Sequence, residues 1–299
     1  MALPTRTASC RQPTFTCERG PSPSYRLDLL LVLEQIGRVA LPDAILESCV
    51  LAPFLIAGSV SKELQQRWLP RMATGEVRVT VGLGDSGLVP DVLASDLVLL
   101  EVAGEVVALE CDELVATPLS SMDPSRRISI VNPLPGAGEP LIGADLGGAH
   151  ARSLVGSAAV LNGLGARLIE MTVEYAKVRT QFGRPIGSFQ AVKHQLAHAA
   201  SLNGLSRWAT AAAVYSVARA REDGTDAATL AHVCAVEAEA EANRVALQVH
   251  GGVGFTWEYD LQLWLKRGKV LEQTYGAERD LAEHAGRAGL DVSTALCAV

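Results

Sequence analysis

Residues 149–181 place Leu154, Leu161, Leu164, Leu168, Met171, Tyr175 and Val178 on one helical face. An apolar stripe kept up over that many turns requires a helix with long partners to pack on. Residues 189–221, 226–250 and 259–274 read as three further helices joined by short Gly or Pro turns. Four helices in succession with short connections predict an antiparallel bundle over 149–299. The chain is 48% hydrophobic but only 5% aromatic, so its interior must pack through Ala, Leu and Val, which suits helices better than a β-rich core.

Upstream, residues 25–75 carry a shorter helical region. Leu29, Val32, Leu33, Ile36 and Val39 recur near helical spacing, a second helix starts at Pro42 and runs through Leu55, and a third spans 62–72 with Trp68 and Leu69 on its apolar side. Gly75 ends it. The pattern then changes to short apolar runs at 77–83, 96–102, 106–109 and 128–131, split by Gly, Pro, Asp and Ser, which predicts a small β segment. The loop 131–148, rich in Pro and Gly, leads into the bundle. Residues 1–24 contain Arg6, Arg11 and Arg19 but no apolar run, so no secretory signal is expected there, and their Pro and Thr content predicts disorder. The predicted organisation is 1–24, 25–75, 76–148 and 149–299, mainly α with a small β segment.

A net charge of -7 over 299 residues excludes a general attraction to nucleic acid or anionic lipid. The apolar stretches 29–33 and 46–60 are too short to span a membrane and are expected as buried helix. Cys10, Cys17, Cys49, Cys111, Cys234 and Cys297 form no CxxC pair and no zinc spacing, so free thiols in a reducing cytoplasm and no metal site are expected.

Two segments carry chemistry beyond their structural duty. Residues 175–190, YAKVRTQFGRPIGSFQ, contain a helix stop in which Gly183 supplies a left-handed cap and Pro185 blocks continuation. They also offer the planar, permanently charged fork of Arg179 to a pyrophosphate, with the Phe182 ring and Gln190 amide beside it. Residues 248–258, QVHGGVGFTWE, likewise contain a glycine cap. One glycine would suffice for that; Gly251, Gly252 and Gly254 together leave backbone amides open to a ligand. His250 is read as a lining residue only.

In this order, with a helix hairpin between them, the two motifs resemble the C-terminal domain of acyl-CoA dehydrogenases, as do residues 266–279. VLEQIGRVAL (32–41) and LPRMATG (69–75) resemble the end of that family's N-terminal helical domain. The resemblance implies a truncated N-terminal helical domain, a reduced middle β domain and a C-terminal four-helix bundle. It implies FAD, an acyl-CoA substrate, α,β-dehydrogenation and an electron-transfer acceptor. Positions matching Arg179, Phe182, Gln190, Gln248, Val249, His250, Gly251 and Gly252 reach a neighbouring subunit's FAD in the family, and Gly276 matches a position near substrate.

Two departures qualify this resemblance. The family's catalytic glutamate stands before a glycine in a Tyr-Glu-Gly-Thr run, where this chain has Thr274-Tyr275-Gly276-Ala277. A phenol, about six units less acidic than a glutamate, is a poor base at neutral pH. The family's other base position matches Ser153, which cannot serve either. The strand that beds the flavin ring is reduced to VTVGLGDS (79–86). Neighbour-facing positions persist while the base does not, which resembles the short subunit of heteromeric, sterol side-chain acyl-CoA dehydrogenases paired with a larger glutamate-bearing subunit. A homo-oligomer using Glu272 or Glu278, and a non-catalytic scaffold that keeps the fold, are the alternatives.

Overall fold

The computed structural model describes residues 23–84, 86–276, 281–283 and 286. Its axis is helix α4, Leu146–Val178, which starts where the Asp145 carboxylate accepts the Gly148 N–H at 2.8 Å, the usual satisfaction of an orphan first-turn donor. The other helices are α1 (Pro23–Arg38), α2 (Ala52–Gly58), α3 (Lys62–Ala73), α5 (Gln190–Ala218), α6 (Gly224–His250) and α7 (Leu261–Leu271). A single π-helical turn, Glu47–Leu51, leads into α2.

α4 is buried almost all round along residues 153–165 because α1, α5 and α6 pack on it from different sides. The α1 crossing is a backbone-on-backbone contact. A Cβ on Gly37 would lie 2.1 Å from the Val160 carbonyl oxygen, and one on Gly163 would lie 2.0 Å from that of Glu34. Only glycine permits this approach. Length and composition alone would let α4 cross a membrane, a property the sequence reading gave to no segment; 78% of its most apolar window is buried inside the fold.

The β segment holds two sheets. Strands β1 (Val79–Gly82), β3 (Leu97–Val102), β4 (Glu105–Glu110) and β7 (Glu139–Pro140) form one in that order, with β1 parallel to β3 and the other pairs antiparallel. Strands β2 (Leu88–Pro90), β6 (Ile128–Pro133) and β5 (Leu114–Leu119) form the other, all antiparallel. The four expected strand runs become β1, β3, β4 and β6. β2, β5 and β7 escaped notice because each is very short or, like β5, exposed along most of its length and interrupted by Pro118.

The end of α4 differs from expectation in an informative way. α4 stops at Val178, not at 181, and Phe182-Gly183 do not cap it. Both residues have positive φ, 53° and 77°, and form the turn of a minimal hairpin between β8 (Thr180–Gln181) and β9 (Arg184–Pro185), the mirror-image turn that two-residue hairpins favour. Val178, expected in the stripe, is 77% exposed. Its partner helix α6 ends at His250, opposite Tyr175, so α6 does not extend far enough to cover Val178.

One side chain ties the three parts together. Arg267 on α7 pairs with Asp123 in the loop before β6, donates from Nη2 to Ser125 Oγ at 2.8 Å, and donates from Nη1 to the Leu41 carbonyl at 2.7 Å. Both charged side chains are almost fully buried. Burial opposes ionisation of Asp123, but hydrogen bonds from Ser125 and Arg267 and the guanidinium charge outweigh it and hold the carboxyl below its ordinary value. Removing Arg267 strands a buried carboxylate and two acceptors. Arg267→Ala should therefore lower unfolding stability by ~3–5 kcal/mol, read from urea midpoints, and Arg267→Lys should recover only part because an ammonium cannot reach all three acceptors.

Candidate functional site

The two glycine-containing motifs meet at one end of the bundle. Tyr175, in the last full turn of α4, stacks on His250, the last residue of α6, with ring centroids 4.4 Å apart. His250 is buried; its Nδ1 donates to the Ala246 carbonyl at 2.8 Å, so Nε2 is left to accept from the Tyr259 hydroxyl at 3.2 Å. Burial lowers its pKa, so the ring stays neutral. The His250 side chain thus pins α6 to α4 from inside, and only its backbone borders the outer face.

That outer face carries the remaining predicted residues. Arg179 is exposed, its backbone N–H bonded to Tyr175 and its carbonyl to Ile186 N–H. Among the described residues no carboxylate pairs with its guanidinium. Phe182 is 92% exposed despite its left-handed backbone, a conformation that costs a bulky residue strain and asks for a reason. Its ring meets Phe189 edge-on at 6.1 Å, and Arg184 lies 4.2 Å over the other ring. Gln190 opens α5 and is exposed. On the α6 side, Gln248 is exposed and Val249 half-buried; a Cβ on Gly251 or Gly252 would meet nothing within 4 Å. Val178, Val253, Phe255 and Trp257 stand out beside them. An unpaired guanidinium, open amides and uncovered aromatics on one face suit a flat anionic ligand held against a second protein surface.

The base positions lie elsewhere and offer no free carboxylate. Ser153 is buried and donates to the His150 carbonyl at 2.8 Å. Tyr275 packs between two clusters of the core. Its hydroxyl donates to Glu47 Oε1, and Arg126 Nη2 bonds the same oxygen at 2.9 Å. Burial first, and then the negative charge of Glu47, push the phenol well above its ordinary value, so Tyr275 stays protonated. Gly276 follows with φ 132°, facing Leu281. Glu272 is buried, gripped by Lys269 Nζ at 2.8 and 3.0 Å, and does not line the cavity beside Tyr275. Glu278 lies outside the described residues. Glu47 and Arg126 were missed by sequence reasoning. The available signal was a single acid inside the apolar run AILESCVLAPFL (44–55).

With this geometry in view, residues 149–289 match the family described as acyl-CoA dehydrogenase, C-terminal domain. Acyl-CoA dehydrogenase IpdE2 of Mycolicibacterium smegmatis is 33% identical over 253 residues, covering 85% of this chain and 76% of that one. The chain belongs to the acyl-CoA dehydrogenase family. Acyl-CoA dehydrogenase FadE34 of Mycobacterium tuberculosis is 30% identical over 80% of this chain but only 35% of its own length. Among solved structures, the ChsE4-ChsE5 complex of Mycobacterium tuberculosis matches with a TM-score of 0.78 and 26% identity, over 88% of this chain and 80% of that one. The steroid ACAD Tcur3481-Tcur3483 matches with a TM-score of 0.81 at 24% identity, which speaks for the fold alone. At the position expected from the sequence for the family's glutamate stands Tyr275, and Glu272, the flanking acid within the described residues, is held by Lys269 away from the cavity beside it.

Glu272 also faces a second buried acid. Glu239 on α6 has both carboxylate oxygens buried without hydrogen-bond partners. Burial and the charge of Glu272 raise its pKa well above the ordinary 4.5. The folded chain therefore holds a proton that the unfolded chain releases above pH 4.5, so this site favours folding at low pH and loses that contribution as pH rises through its folded pKa. Glu239→Gln should flatten that fall, making the variant gain on the wild type between pH 5 and 8 in chemical denaturation.

Proposed function

We propose that this chain is the base-lacking subunit of a heteromeric, FAD-dependent acyl-CoA dehydrogenase, and that its bundle end completes a flavin pocket shared with a larger, glutamate-bearing partner. The reading rests on one pairing of observations. The face carrying Arg179, Phe182, Gln190, Gly251 and Gly252 is open, while both base positions are internal and engaged.

The residues present fit FAD on the ground that two successive backbone positions, Gly251 and Gly252, have open space where side chains would stand. In this reading the Arg179 fork binds a pyrophosphate, the Gly251–Gly252 backbone approaches the ligand closely, and Gln190 and Gln248 add amide hydrogen bonds. Phe182, held outward by its hairpin, covers the site from water. FAD when bound supplies a hydride acceptor for Cβ of the acyl group; the α-proton goes to the partner's carboxylate. The exposed Val178, Val253, Phe255 and Trp257 are the surface on which that partner packs. The proposed substrate is a bulky acyl-CoA, as the resemblance to the short subunit of heteromeric sterol side-chain dehydrogenases implies, oxidised with transfer to an electron-transfer acceptor.

Expression with and without the partner subunit tests this. Yellow protein only in the co-expressed sample is the expected result. Full activity of the chain alone, or colourless protein in both samples, would refute the shared pocket. In the complex, Arg179→Ala should weaken flavin retention by ~1.5–3 kcal/mol, about 10- to 150-fold in affinity, as expected for losing a hydrogen bond to a charged group. Unchanged flavin content would remove Arg179 from the site.

A further inference from the structure

The place where the family positions its base is not an open slot in this chain. Tyr275 comes from the loop after α7, Glu47 from the π-helical turn before α2, and Arg126 from the loop before β6. All three converge on one carboxylate oxygen, Glu47 Oε1. The side chains of Arg126 and Glu47 are 12% and 4% exposed. The cavity that Glu47 and Tyr275 line with Arg126 is only about 40 Å³, bordered also by Leu33, Leu46, Ser157 and Arg267; Arg126 separately borders a cavity of about 370 Å³ in the β segment, which neither Glu47 nor Tyr275 lines. Ser157, on α4, has a buried hydroxyl with no protein partner, so the cavity suits a few waters, each needing ~10–15 Å³. An acyl thioester needs a cleft in the range of ~300–1,000 Å³.

The walls are fixed as well. Asp123–Arg267 is buried beside Arg126, and Asp91, which borders the same cavity, pairs with Arg127 at 2.6 Å and accepts the Ala44 N–H at 3.1 Å. Opening the space would separate Arg126 from Glu47 and leave two buried charges unpaired. The π-helical turn, a local departure of the kind that marks functional sites, is what carries Glu47.

We propose that Glu47, Arg126 and Tyr275 form a polar plug that closes this chain's own acyl slot. Tyr275 then acts as a structural hydrogen-bond donor that keeps the slot closed. This rests on the heteromeric reading above, and the test separates the two claims.

The complex with the partner subunit is compared with complexes carrying Tyr275→Phe or Glu47→Gln in this chain. The phenolate difference spectrum, wild type minus Tyr275→Phe, should show no ionisation of Tyr275 in the folded complex up to pH 10.5. A phenolate with a midpoint near 10 would mean an open hydroxyl and overturn the plug, whatever the flavin content. Titration of the oxidised flavin with trans-2-octenoyl-CoA and with free coenzyme A should saturate at one equivalent per pair; two equivalents would overturn the proposal. Turnover should stay within about twofold of wild type in both variants, whereas a loss of a hundredfold or more in either would make Glu47 or Tyr275 part of the proton transfer and also overturn it. A complex that takes up no flavin at all would refute the heteromeric reading while the phenolate spectrum still decides the plug.

Discussion

The guanidinium of Arg267 joins all three segments of this fold in one buried contact. It sits on α7, yet its bonds go to the β segment through Asp123 and Ser125 and to the N-terminal helices through the Leu41 carbonyl. A buried arginine is tolerated only when its charge and its donors are all answered, so placing it fixes three pieces of chain relative to one another. The Arg126–Glu47–Tyr275 cluster lies against this joint and repeats its logic, again taking one residue from each segment. The Trp264 indole, donating to the Arg38 carbonyl at 3.0 Å, adds a further tie between α7 and the end of α1.

The molecule is unevenly finished. At the joint, the charged groups Arg267, Asp123, Arg126 and Glu47 are paired inside the protein, and the cavity beside Tyr275 is only about 40 Å³. At the bundle end where α4 and α6 stop together, Arg179 has no carboxylate partner among the described residues, two glycines border open space, and valine, phenylalanine and tryptophan side chains are uncovered. An uncovered apolar and charged surface of the second kind is what interaction sites expose.

Motif and periodicity made the bundle legible. The α4 stripe at Leu154, Leu161, Leu164, Leu168 and Met171 is buried as read, because a 3.6-residue repeat has one physical meaning in a water-soluble helix. The strands were read less completely, since β2 and β7 are too short to show a period and β5 is mostly exposed. Gly183 was recognised as a left-handed position but assigned to a helix cap. Its neighbour Phe182 adopts the same conformation against its own preference, and sequence carries no sign of that.

The sequence by itself determined the helical bundle and the order of the two motifs, both local or spacing properties, and it supplied the expectation that Tyr275 stands at the base position. Only the tertiary structure decided what Tyr275 does, because its partners are 228 residues away at Glu47 and, through Glu47, a further 79 residues along at Arg126. It also decided that His250 faces inward against Tyr175 and Tyr259. Hydrophobic pattern sets which face of an element turns inward; which buried polar groups then find each other depends on how the elements cross, and no spacing along the chain encodes that.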